Sequence, residues 1–149
     1  TTRYIHKVNP REIREMKRLL TLIIPVMLSF PSYAEWIKVT KSTSSGNTIY
    51  VDFDKIKKID NFLYYYSLTN YKKPVFGDLS VIVYHQADCK RSRERGIRWM
   101  FHKQQMGHGD SITENTHDNE WAYPFAHTSS ASKGAAPKTA CEQAVNQKL

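Results

Sequence analysis

The sequence offers little that is long and apolar: one stretch stands out, LLTLIIPVMLSF from Leu19 to Phe30, and its 12 residues fall well short of the roughly 20 that a bilayer-spanning helix needs. Its surroundings read differently. Lys17 and Arg18 precede it and Pro31-Ser32-Tyr33-Ala34 follows it, the charged, apolar, small-x-small order of a secretory signal. The sequence predicts an N-terminal extension plus signal peptide over 1–34, starting at Met16 and cut after Ala34, and a single domain over 35–149 without a transmembrane helix. No cysteine follows the expected cut, so lipid attachment there is not available. The expected place is outside the cytosol, in the periplasm or at the cell surface.

Catalytic signatures are missing as well. There is no Gly-x-Ser-x-Gly elbow, no glycine loop to cradle phosphate and no His-Glu-x-x-His, so the reading is non-enzymatic, with no cofactor. Cysteine is scarce: Cys89 and Cys141 are the only two. An even count in an oxidising compartment is most simply one disulfide, and a bonded sulfur is not a thiolate nucleophile. Two thiols could instead hold a metal, but no Cys-x-x-Cys supports that. Acidic residues are also few, yet six of the 22 bases and two of the 14 acids lie in residues 1–34, which leaves the remainder at +4. That charge gives no nucleic-acid footprint.

What is present alternates. Trp36–Thr40 and Thr48–Val51 read as two strands around a Ser/Thr/Gly/Asn turn. Asp52–Ile59 carries apolar residues at 53, 56 and 59, the spacing of one helical turn capped by Asp52 or Asp54. Asn61–Tyr71 reads as an aromatic strand that stops at Lys72-Lys73-Pro74. Leu79–Cys89 and Gly96–Gln104 read as strands, Met106–Glu120 as an exposed loop, and Trp121–Phe125 as a segment returning to the core. Pro137 opens a terminal helix that runs to Asn146. The fold class is α+β: an antiparallel meander of about six strands with a C-terminal helix that a Cys89–Cys141 bond would pin to the sheet.

Three groups of side chains could carry function. Lys90, Arg91, Arg93, Arg95 and Arg98 stand against Glu94 alone, and guanidinium forks pair with sulfate, phosphate or carboxylate. An acidic polysaccharide, lipopolysaccharide phosphate or acidic protein surface could dock there, or the run is simply a solvated hairpin tip. His102, His108, Asp110, His117, Asp118 and His127 gather around a polar loop, and His108, Asp110 and His117 are the candidate ligands of an alternative periplasmic metal or haem binder. Their spacing matches no established site. Tyr64, Tyr65, Tyr66, Tyr71 and Tyr84 are either a stacking face or ordinary cross-strand packing.

The exported start, Trp36, the Tyr50-Val51-Asp52 strand end, Asn70-Tyr71-Lys72, the Ser80 strand ending in Asp88-Cys89, the Arg-rich hairpin, Trp121 and Cys141 together resemble the surface-adhesin protein E family of Gram-negative bacteria, over nearly all of residues 36–145. The resemblance implies a six-stranded antiparallel sheet with its terminal helix fastened by the disulfide. It also implies a non-enzymatic, adhesin-like surface protein that contacts host matrix or plasma proteins. The chain departs from the adhesin that names the family in lacking a lipid-attachment cysteine.

Overall fold

The computed structural model describes residues 34–115, 120–124 and 134–149; the expected leader, His117, Asp118 and His127 lie outside them. Residues 34–149 cluster as one unit. Its described strands are β1 (Trp36–Lys41), β2 (Thr48–Asp52), β3 (Lys57–Ile59), β4 (Phe62–Val75), β5 (Asp78–Asp88), β6 (Arg93–His102) and β7 (Ser111–Asn115), followed by helix α1 (Ala135–Asn146). All pair antiparallel in the order β1-β2-β4-β5-β6-β7, with β3 against the start of β4. Apart from β3, each strand neighbours its predecessor, the meander that short connections favour.

Side chains alternate across a strand, so the registers sort residues onto two faces. On one, Val51, Leu63, Tyr65 and Ala87 form a buried cluster with Ala136, Ala140 and Ala144 of α1. The helix residues recur every four positions, as a single buried stripe requires, and their small size lets the helix lie close to the sheet. Pro137 in the first turn, where a missing N–H costs little, is fully buried. Cys141 bonds Cys89, just past the end of β5, so a covalent tie joins helix to sheet.

The opposite face carries Tyr50, Tyr64, Tyr66, Leu68, Ile82 and Tyr84 by register. The β6–β7 connection folds back over part of it. Asn70 Oδ1 accepts the Met106 backbone N–H at 2.8 Å, and Ser80 Oγ accepts that of Gly107 at 3.0 Å. Gly107 has φ of 71°, and a Cβ there would stand 2.6 Å from Ile82 Cδ1, so glycine is needed for both conformation and space.

Three expectations are corrected. Asp52–Ile59 is not a helical turn: Asp52 instead pairs with Lys55 at 3.3 Å, and Lys57–Ile59 joins the edge of β4. One turn of helix is a costly nucleus for little return, whereas the β4 backbone offers ready partners. The apolar residues at this spacing do not share a buried face, since Ile56 is buried and Ile59 is 51% exposed. The aromatic strand does not stop at Lys72 but runs to Val75, because the register skips from Asn70↔Ser80 to Val75↔Asp78 and Pro74 sits in that irregularity, where no ladder hydrogen bond is asked of it. Met106–Glu120 is not all exposed loop: Met106 and Gly107 are packed, and 111–115 form an edge strand, exposed along its length. Backbone pairing with β6 needs no large apolar side chains there.

Candidate functional site

The arginine run lies where β5 turns into β6, and the structure shows what holds each arginine. Asp88, buried at the end of β5, takes Arg91 Nη1 and Arg93 Nη2 on Oδ2, each at 3.2 Å. Its Oδ1 accepts the Arg91 backbone N–H. Burial pushes the Asp88 carboxyl up, but the hydrogen bonds from Arg91 and Arg93 outweigh it and hold the carboxyl below its usual value. Ser92, at φ of 52°, closes this turn. Lys90 and Arg91 are left exposed at its tip.

Arg93 and Arg95 then stack their guanidinium groups on the ring of Trp121, 4.3 and 4.8 Å from its centroid. Phe62 stacks with the same indole at 5.8 Å. Trp121 is carried there by a two-bond bridge between Ala122 and Glu94. The sequence assigned Trp121 to the hydrophobic core; it is instead half-buried as the plate on which two cations rest. Arg95 Nε donates to Gln86 Oε1 at 2.7 Å, and Gln86 Nε2 donates to the Tyr64 hydroxyl at 2.7 Å. Tyr84 lies between Tyr64 and Tyr66, with centroids 5.9 and 4.6 Å away. Arg98, opposite Tyr84 in the ladder, is exposed and donates to Asn115. Burial raises the Tyr84 hydroxyl, with the neighbouring tyrosines adding to the shift and Arg98 opposing it.

The expected sites therefore meet the structure in different ways. Arg93, Arg95 and Arg98 come together by register on the face of Tyr64, Tyr66 and Tyr84, and Arg91 meets Arg93 at Asp88, whereas Lys90 sits at the same end but lines the pocket beside the disulfide and the end of α1. Tyr65 points the other way, into the core, and Tyr71 lies toward the far end of β4. The histidine set is not assembled: among the described residues no three His, Cys, Asp or Glu side chains converge on a point where a metal could sit. His108 and Asp110 are exposed in the β6–β7 connection, while His102 is half-buried.

One constellation was not visible in the sequence. On the helix-covered face, Ser67 Oγ lies 2.8 Å from His85 Nε2, and His85 Nδ1 lies 3.5 Å from Glu94 Oε2. The order is that of a serine, histidine and acid triad, but the environment is wrong for one. Ser67 is only 5% exposed, Tyr65 donates to the same Glu94 oxygen at 2.6 Å, and His85 Nδ1 makes no hydrogen bond. Burial pushes Glu94 up to about 7 and His85 down to about 3, so near neutrality the histidine is uncharged. Neither described pocket reaches it. One, of about 420 Å³, lies between the end of α1 and Phe62 with the disulfide in its wall, and the other, of about 180 Å³, lies beside Phe53.

A disulfide-tied antiparallel sheet that offers an arginine and tyrosine face has the build of a binding module. The chain belongs to the surface-adhesin protein E family, whose model matches residues 36–142. Searches of curated proteins and of solved structures returned no match. Family membership points to adhesion rather than catalysis and to an exported or surface location, and no helix among the described residues is long and apolar enough to cross a membrane.

Proposed function

We propose that the protein is exported after removal of a leader ending at Ala34 and acts as a non-enzymatic binding protein that grips acidic polysaccharide through the Lys90–Arg98 hairpin and the adjoining tyrosines. The observation that carries this reading is the pair of guanidinium groups held on Trp121, one tied to Asp88 and the other to Gln86. Cations positioned in advance lose less side-chain freedom when a sulfate or carboxylate arrives, and planar forks suit those groups better than ammonium does. The half-buried tyrosines beside them supply stacking surfaces for sugar rings. Acidic segments of host matrix or plasma proteins, or lipopolysaccharide phosphate, present the same chemistry.

Because Arg93 and Arg95 also brace the fold, the test uses the exposed cations. The variant with Lys90→Ala, Arg91→Ala and Arg98→Ala should elute from a heparin column at clearly lower salt than the parent, and Tyr66→Ala should weaken binding of a defined sulfated oligosaccharide. Unchanged elution of the triple variant overturns the reading.

A further inference from the structure

At the other end of β5 the chain builds a second, unrelated feature. The β4–β5 hairpin closes through Phe76 and Gly77, at φ of 51° and 84°, the two left-handed residues of a type I′ turn. That turn favours asparagine, aspartate or glycine at its first central position. A phenylalanine there is a backbone outlier, and nothing among the described residues packs against it to compensate, since Phe76 is 99% exposed and the preceding Val75 is 41% exposed. Backbone strain that the core does not use is a pointer to function.

The surroundings of the tip indicate a partner. Lys72 and Lys73 lead into it and are exposed; Lys103 lies alongside Gly77 and pairs with Asp78 at 2.7 Å. At this end of the sheet the described chain gathers Lys41, Lys72, Lys73 and Lys103 against Asp78 and Asp110. A convex finger with one aromatic residue at its apex offers far less than the roughly 800 Å² per partner of a stable protein interface. A headgroup layer, by contrast, deforms around a finger, takes an aromatic ring at its boundary and attracts flanking lysines whose stems can lie along it.

We infer that the Val75-Phe76 tip, with Lys72 and Lys73, is a contact for the surface of an anionic phospholipid bilayer. The test is cosedimentation of the chain from Glu35 onward, the compact unit without its apolar leader, with vesicles of phosphatidylethanolamine and phosphatidylglycerol, and with pure phosphatidylcholine vesicles as the neutral arm. The parent should partition onto the anionic vesicles and not the neutral ones. Phe76→Ser should reduce partitioning about tenfold, the scale of one buried aromatic side chain, and Lys72→Glu with Lys73→Glu should abolish it. Phe76 is solvated, so Phe76→Ser should keep the parent's circular dichroism and heparin elution, which separates this inference from the arginine site. Equal binding to neutral vesicles, no binding to either, or full binding by Phe76→Ser overturns it. So does a Phe76-dependent protein partner found in the absence of vesicle binding.

Discussion

The Tyr65 hydroxyl donates to Glu94 Oε2 across 2.6 Å, and the carboxylate that receives it is itself held above its ordinary range by burial, at about 7. A few ångströms away His85 is held down at about 3 by the same cause. Their effects on stability have opposite signs. Between the usual 4.5 of a glutamate and 7, folded Glu94 keeps a proton that the unfolded chain has released, so its contribution is lost as pH rises. Between 6.5 and 3 the unfolded chain gains a proton on His85 that the folded chain refuses, so stability is lost as pH falls. From pH 4.5 to 6.5 the two slopes cancel and stability should be flat. Glu94→Gln should unmask the histidine slope, about 1.4 kcal/mol per pH unit rising toward pH 6.5. Urea denaturation at three pH values in that window checks it; a flat profile in the variant contradicts it.

Reducing the Cys89–Cys141 bond should free α1 from the sheet. The bridged residues are 52 apart in sequence, and the chain-entropy model gives a loss of about 4 kcal/mol for a loop of that size. Denaturation of the Cys89→Ala, Cys141→Ala variant measures the loss, and hydrogen exchange should show it first in 135–146.

Gly107→Ala should destabilise the domain by about 1–3 kcal/mol, the cost of overpacking combined with a left-handed backbone. The new methyl would collide with Ile82. A thermal melt indistinguishable from the parent would mean that the β6–β7 connection is not seated on the sheet.

Trp121→Ala removes the plate shared by Phe62, Arg93 and Arg95. An aromatic pair and two cation contacts together account for about 1–3 kcal/mol. The sharper readout is NMR of the arginine side chains, where Arg93 and Arg95 should gain mobility while Arg98, which does not touch the indole, should not.

Alternation and turn residues made most of the sheet legible, since a half-buried strand writes its period into the sequence. The helix was legible from Pro137 at its first turn, and its attachment from the number of cysteines. What escaped notice was structure built on backbone rather than side-chain pattern. Strand β7 is exposed at every residue, so no apolar rhythm marks it, and β3 exists because β4 has an edge to offer. In the binding region the arginines were legible as a charge run, but their seating on Trp121 was not, because Arg95 and Trp121 are brought together only by the Glu94–Ala122 bridge. Ser67, His85 and Glu94 come from three strands whose registers no local motif encodes.

Strand β5 separates the Phe76 tip from the Arg91 turn by its own length: eleven residues at roughly 3.3 Å each span about 35 Å. Occupying one extremity leaves the other sterically untouched. With both proposed contacts in place, a single copy would act as a spacer about one strand long between the two surfaces it touches.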